Sequence, residues 1–236
     1  MHPTVKAARI AGAIYLLEVL SGPFSLIYLP NMLNVSAGSA ATTAAFILSH
    51  EGMFRLGIFA DLYGGVVSIA LMLALYRLFR DVDHFQAVVM VILGGVCVAP
   101  IFFVNALNWL AALMLVHGGS YFTAFTTPQL NALAMLFLRL HSQGNVVNGL
   151  FWGLWLFPFG WLVIKSGFIP RFLGYWLLID GVAYVALTVV GILAPQYHDL
   201  AFTIGQPAFF GEIAITLYLV IWGANARKLS GDAAKA

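Results

Sequence analysis

The stretch FRLGIFADLYGGVVSIALMLALYRLF, at residues 54–79, decides the fold class. Between Arg55 and Arg77 it contains a single charged residue, Asp61, and its other residues are mostly apolar. A helix needs about 20 mostly apolar residues to cross the hydrocarbon core of a bilayer. The stretch therefore predicts a membrane-spanning helix.

The whole chain has the same character. Of its 236 residues, 62% are hydrophobic and 8% are charged, whereas soluble domains have about 45–50% and about 25%. So few charged residues could not cover the surface of a soluble fold. The composition excludes a soluble enzyme, a nucleic-acid binder and a disordered chain. It predicts an all-α polytopic bundle, one domain over residues 1–236, embedded in a lipid bilayer.

Six segments are long and apolar enough to span the bilayer. We expect these spans at residues 8–29, 54–79, 85–116, 145–164, 172–193 and 207–226. Pro100 lies within the third span and predicts a kink there. Residues 39–53 and 129–141 are expected to form short interfacial helices on the outer side. A seventh span at 129–141 is the alternative.

The basic residues predict the orientation, because Lys and Arg accumulate on the cytoplasmic side of membrane proteins. With six spans, only Arg55 and Arg139 fall on one side. Both termini are therefore expected in the cytoplasm. The nine basic residues on that side are Lys6, Arg9, Arg77, Arg80, Lys165, Arg171, Arg227, Lys228 and Lys235.

Four acidic residues fall inside the predicted spans: Glu18, Asp61, Asp180 and Glu212. Ionisable side chains are costly in hydrocarbon and usually face the interior of a bundle, where they have a function. A rise of about 1.5 Å per residue puts Glu18 and Asp180 near the midplane and the other two in the outer third. Tyr184 lies one turn after Asp180. We expect these five residues to line an outward-open cavity that binds a small molecule or cation, or carries protons.

Further polar residues are expected at the mouth of this cavity. Arg55 would orient or neutralise the acids, and an ion pair with Glu51 at i,i+4 is the alternative. No two histidines have the spacing of a helical metal site, and the single Cys97 cannot build a cysteine-based one. We therefore assign no metal or other cofactor. The rim candidates are His50, Glu51, Asn105, Asn108, Arg139, His141 and Asn148.

Glycines recur at intervals of four and seven residues, which predicts close packing between helices in lipid. They are Gly57 and Gly64, then Gly149, Gly153, Gly160 and Gly167, then Gly174 and Gly181. Packing within one chain is the simpler interpretation, and a homo-oligomer stays open.

The segment KSGFIPRFLG, at residues 165–174, resembles the short loop of a multi-pass membrane family, the domain of unknown function 4386. The resemblance implies an integral protein of the bacterial inner membrane, and it implies no activity or catalytic residue. Three other stretches agree: ARIAG at 8–12 with Tyr15-Leu16, His50-Glu51 with FRLG at 54–57, and Leu140-His141 before Gly149 and Gly153.

Three functions stay open at this point. The leading one is a protein that binds or transports a small molecule or ion. The second is a membrane-embedded enzyme, in which His50 or His141 acts as a general base on a lipid or prenyl substrate. It requires these histidines to lie within hydrogen-bond reach of a carboxylate or serine. The third is a structural or sensor protein. The motifs GxGxxG, Walker A, GxSxG and HExxH are absent from the sequence, so no reaction is indicated.

Overall fold

A computed structural model describes residues 2–24, 28–33 and 38–225, and all regular structure within these ranges is helical. The all-α prediction is confirmed. The helices are α1 (Pro3–Pro23), α2 (Leu29–Leu33), α3 (Ala40–Ser49), α4 (Glu51–Phe79), α5 (His84–Val91), α6 (Val98–His117), α7 (Thr127–Ser166), α8 (Arg171–Leu193) and α9 (His198–Ile221).

Five helical segments of the described chain are long and apolar enough to cross a membrane, which makes this a multi-pass membrane protein. Helix α1 is not among the five, and its 21 residues include Lys6, Arg9 and Glu18. The five segments are Glu51–Phe79, His84–His117, Thr127–Ser166, Arg171–Leu193 and Pro195–Ile221.

Some predicted helix ends agree with the structure and others are wrong. Helix α8 matches its prediction to within one residue. Helix α1 begins at Pro3, earlier than expected, and its α-helical part ends at Pro23, while residues 25–27 of the predicted span lie outside the described chain. Helix α9 begins at His198 and contains Pro207, where a start was predicted. Membrane helices tolerate an internal proline when neighbouring groups satisfy the freed carbonyl. Arg227, Lys228 and Lys235 also lie outside the described residues.

Helix α7 is continuous over 40 residues, so the prediction of a separate short helix at 129–141 is wrong. Between the two predicted segments, 129–141 and 145–164, lie Ser142, Gln143 and Gly144. None is proline, and a single glycine costs a helix only about 1 kcal/mol. At about 1.5 Å per residue, α7 is roughly 60 Å long, about twice the thickness of a hydrocarbon core.

The irregularity expected at Pro100 lies just before it. A π-helical turn at Ile92–Cys97 separates α5 from α6. Proline has no N–H, and its ring clashes with the carbonyl four residues earlier, here that of Val96. A wider turn at that carbonyl relieves the clash.

The short helix expected within residues 39–53 is confirmed as α3. Ser39 caps it, because the Ser39 hydroxyl accepts a hydrogen bond from the amide of Thr42 at 3.2 Å. This cap satisfies one of the free amides at the helix start. The interfacial location of α3 stays a prediction.

The chain divides into two compact units, each with its own apolar core. The first comprises Met1–Val19, Val66–Ala99 and Val146–Ala236, and the second comprises Leu20–Gly65 and Pro100–Asn145. Core residues of the first unit include Leu71, Phe79, Phe159, Leu177 and Leu219. Those of the second include Leu29, Phe54, Trp109, Leu113 and Leu138.

In the first unit, α7 and α8 pack antiparallel through facing glycines. A side-chain carbon added to Gly160 would lie 2.7 Å from the carbonyl oxygen of Gly174, and one added to Gly153 would lie 2.7 Å from that of Gly181. Seven residues beyond Gly181, the hydroxyl of Thr188 donates a hydrogen bond to the carbonyl of Val146 at 3.2 Å. The predicted close packing of these glycines is confirmed.

Next to the turn between α7 and α8, the end of α7 forms an ion pair with the residue before α5. Gly167 has a φ of 69°, a left-handed conformation that glycine adopts without strain. Just before it, Lys165 donates a hydrogen bond to Oδ2 of Asp83 at 2.8 Å. This bond holds the pKa of Asp83 below its ordinary value, helped by the Gln86 amide that Asp83 caps.

Candidate functional site

The second unit contains a buried pair of ionisable side chains, Asp61 on α4 and His141 on α7. Nε2 of His141 lies 2.8 Å from Oδ2 of Asp61, and the two side chains are 1% and 0% exposed. Within the described residues, the other carboxyl oxygen of Asp61 has no hydrogen-bond partner. The pair can therefore pass a proton between its members, and it keeps one free acceptor.

Helix α6 packs its aromatic and amide side chains beside this pair. The indole of Trp109 lies over the imidazole of His141, with ring centroids 4.2 Å apart, and Phe54 stacks on Trp109 at 5.2 Å. One turn along each helix, Asn105 donates a hydrogen bond to Asn145 at 2.7 Å. Sequence reasoning missed both Trp109 and Asn145. The spacing of His141, Asn145 and Asn148 at four and three residues could have revealed Asn145.

The first unit brings together the other three acids, with Glu212 of α9 at the centre. The hydroxyl of Tyr15 donates a hydrogen bond to Oε1 of Glu212, and the hydroxyl of Tyr184 lies beside the same carboxyl. Glu18 and Asp180 both lie within electrostatic range of Tyr15 and Tyr184, and Asp180 is also within range of Glu212. We call these five residues the carboxylate–tyrosine cluster.

The side chain of Asp180 is fully buried, with 0% exposure. A side-chain carbon added to Gly211, the residue before Glu212, would lie 3.3 Å from Oδ2 of Asp180. The amide of Glu212 approaches the Asp180 carboxyl. Among the described residues, however, neither carboxyl oxygen of Asp180 makes a hydrogen bond of normal geometry.

Aromatic rings flank the cluster on both tyrosine sides. The ring of Tyr184 lies 4.7 Å from that of Phe209 and 6.1 Å from that of Trp152, measured between centroids. The ring of Tyr15 lies 5.9 Å from that of Trp155. Both tyrosines beside Glu212 thus pack against other aromatic side chains.

Arg55 has a different partner from the one predicted. Its Nε lies 2.6 Å from Oε1 of Glu51, as the i,i+4 alternative requires, and its side chain is 58% exposed. The second carboxyl oxygen of Glu51 is 3.1 Å from Nε2 of His117. Arg55 therefore belongs to a surface ion pair, and the described contacts do not support a role in neutralising the buried acids.

The other rim candidates divide by burial. His50 and Arg139 are exposed, and Asn108 is half-buried. The imidazole of His50 stacks on Phe46 at 4.3 Å and lies 2.9 Å from the hydroxyl of Ser49.

In contrast, Asn105, His141 and Asn148 are fully buried, and their place at the rim of a cavity stays a prediction. Their side chains lie on the inner faces of α6 and α7, where packing removes them from the surface. Among the described residues the amide group of Asn148 makes no hydrogen bond. No group of three or more His, Cys, Asp or Glu side chains in the described chain is arranged to hold a metal ion.

Comparison with protein families gives a match over most of the chain. A family described as "Domain of unknown function (DUF4386)" matches residues 10–223. The chain belongs to the DUF4386 family. The resemblance of the loop at 165–174 is thereby confirmed. Both the Asp61–His141 pair and the carboxylate–tyrosine cluster lie within the DUF4386 match.

The description of one similar protein names no activity. An uncharacterized protein of Archaeoglobus fulgidus is 37% identical over 81 residues, which cover 34% of this chain and 45% of that protein. The match thus spans less than half of the relative's length. No solved structure matches the DUF4386 chain.

The cluster also contains a residue that sequence reasoning missed. Tyr15 donates a hydrogen bond to Glu212, and the sequence indicates this residue only through the resemblance to the DUF4386 family. Its position three residues before Glu18, on the same helix face, was the available signal.

Proposed function

We propose that this membrane protein binds a cation at the carboxylate–tyrosine cluster, in competition with protons. The observation that carries the proposal is Asp180, a fully buried carboxyl without a hydrogen bond of normal geometry among the described residues. A negative charge is very costly in such a place unless something balances it. A bound proton or a bound cation would supply that balance.

The neighbouring carboxyls strengthen the argument. Glu18 and Glu212 lie within electrostatic range of each other, as do Asp180 and Glu212. Like charges at close range cannot all ionise without a counter-charge. A cation that enters the cluster would therefore release protons from it, and this exchange is what a proton-coupled transporter requires.

The proposal includes the membrane topology. We propose that α1 is a sixth span, that both termini are cytoplasmic, and that the membrane is the inner membrane of a bacterium. The distribution of basic residues supports this orientation. Reporter fusions at the turn Gly167 and at the segment Ser120–Phe122 should report opposite sides of the membrane. The same side for both would contradict the topology.

The test measures cation binding and its dependence on pH. Purified protein in lipid nanodiscs is titrated by calorimetry with sodium, potassium, calcium and tetramethylammonium chlorides at pH 6 and pH 8. We expect at least one cation to bind at least tenfold more tightly at pH 8, because fewer protons compete there. The absence of any binding heat in the titrations with all four salts at both pH values would contradict the proposal.

Matched variants locate the site. Asp180→Asn removes the charge at nearly constant shape and should weaken binding at least tenfold and remove its pH dependence. Asp81→Asn is the control, because Asp81 is exposed in the loop after α4 and pairs with Arg80 at 3.7 Å. Equal binding by the two variants would exclude Asp180 from the site.

A second candidate function is favoured by the Asp61–His141 pair. Its 2.8 Å separation meets the requirement of the enzyme hypothesis for a histidine beside a carboxylate. In this reading Asp61 orients the imidazole, which removes a proton from a lipid or prenyl substrate. Incubation with a phospholipid mixture and with prenyl diphosphates, followed by mass spectrometry, should give a product that His141→Gln lacks. An unchanged lipid profile with the unmodified protein would rule this candidate out.

A further inference from the structure

We infer that the cation bound by the carboxylate–tyrosine cluster is an organic ammonium ion rather than a metal ion. This inference rests on the proposed function and narrows its ligand class. It depends on the aromatic side chains around the acids, a feature that cation binding by carboxyls alone does not need.

The aromatic residues are joined to the acids through the two tyrosines. Tyr184 has its hydroxyl beside Glu212 and its ring 4.7 Å from that of Phe209. Tyr15 has its hydroxyl on Glu212 and its ring 5.9 Å from that of Trp155. Each tyrosine thus approaches Glu212 with its hydroxyl and another aromatic side chain with its ring.

This combination suits a diffuse organic cation. The face of an aromatic ring attracts a positive charge, and aromatic cages bind quaternary ammonium groups, whose methyl groups carry the charge and which have no N–H to donate in a hydrogen bond. A small metal ion would instead need several oxygen atoms at short range. The carboxyls would balance the positive charge of an alkylated ammonium ion, and the aromatic rings would contact its alkyl groups.

Two buried polar side chains on α8 and α9 have no hydrogen-bond partner among the described residues. Besides Asp180, the side chain of Thr216 is 1% exposed, and its hydroxyl has no partner within the described residues. Thr216 lies one turn after Glu212 on α9, on the same helix face. A buried polar group without a partner calls for an explanation, and a bound ion is one that fits both groups.

The experiment compares ammonium ions with metal ions on the full-length protein in nanodiscs. Tetramethylammonium and tetraethylammonium chlorides are titrated at pH 8 against sodium and calcium chlorides at equal ionic strength. We expect at least one of the ammonium ions to bind at least tenfold more tightly than either metal ion. Tighter binding of sodium or calcium would overturn the inference and leave the proposed function standing. Failure of all four ions to bind would overturn the inference, and it would overturn the proposed function as well if potassium also failed to bind.

Four variants test the aromatic contribution. Phe209→Leu should weaken ammonium binding at least tenfold, while Phe210→Leu, at the adjacent exposed position, should leave it unchanged. Tyr184→Phe keeps the ring and should retain more of the affinity than Tyr184→Leu. If Phe209→Leu and Tyr184→Leu both bound the ammonium ion as tightly as the unmodified protein does, the aromatic site would be overturned. Circular dichroism and gel filtration check that each variant is folded.

Discussion

Nε2 of His141 lies 2.8 Å from Oδ2 of Asp61, and 80 residues of chain separate the two. Both side chains are buried in the second unit, where Trp109 covers the imidazole. A buried pair of this kind contributes little to stability compared with well-packed apolar residues. Removal of one partner, however, leaves the other buried without a compensating group, which is strongly destabilising.

We expect His141→Leu to lower the free energy of unfolding by about 3–5 kcal/mol, because Asp61 would then be buried without its partner. The double variant Asp61→Leu/His141→Leu should recover most of this loss. Denaturant titration of the purified protein measures both. The control is His117→Leu, because His117 pairs with Glu51 at the surface and its side chain is 43% exposed. A double variant less stable than His141→Leu would disprove this account of the pair.

The glycine contacts between α7 and α8 predict the effect of one added methyl group. Gly153→Ala should cost about 1–3 kcal/mol of stability, because the new carbon would lie 2.7 Å from the carbonyl of Gly181. Gly52→Ala is the control, since nothing lies within 4 Å of the added carbon there. It should be neutral or stabilising by up to about 1 kcal/mol. The midpoint of thermal unfolding distinguishes the two, and a similar midpoint for both would show that the helices adjust freely.

The hydrogen bond from Tyr15 to Glu212 predicts a loss on removal of one hydroxyl. Tyr15→Phe should lower the free energy of unfolding by about 1–2 kcal/mol, because the half-buried Glu212 loses a donor. The same variant should weaken cation binding at the cluster. Tyr197→Phe is the matched control at an exposed tyrosine. Indistinguishable stabilities of the two variants would argue that water replaces the Tyr15 hydroxyl.

The Asp83–Lys165 ion pair predicts a pH-dependent contribution to stability. The hydrogen bond from Lys165 lowers the pKa of Asp83 in the folded state, so the ionised carboxyl favours folding at pH values above its unfolded pKa of about 3.9. This contribution is lost as the pH falls through the lower, folded-state pKa. Asp83→Asn keeps the helix cap and removes the charge.

The thermal midpoint of Asp83→Asn should therefore lie below that of the unmodified protein at pH 7, and the difference should disappear only as the pH falls from about 4 through the folded-state pKa of Asp83. Asp81→Asn, at an exposed neighbour, should show no such convergence. A constant difference across the pH range would mean that Asp83 acts through its shape rather than its charge.

Local sequence properties predicted most of the secondary structure. Helix α8 was located to within one residue, because an apolar run between Pro170 and Pro195 leaves little choice. The errors occurred where the backbone tolerated residues that usually interrupt helices. Gly144 did not break α7, and Pro207 did not start α9. Such residues carry a cost of a few kcal/mol, which packing against neighbouring helices can offset.

The sequence by itself determined that the chain is an all-helical membrane protein with a few costly acids, because charge content and apolar run length are local quantities. It also placed the chain in its family through the loop at 165–174. Only the tertiary structure decided that Asp61 pairs with His141 and that Tyr15 bonds to Glu212 across 197 residues. The physical reason is that a buried polar group takes its partner from another helix. Which helix supplies it depends on packing, for which the chain has no local signal.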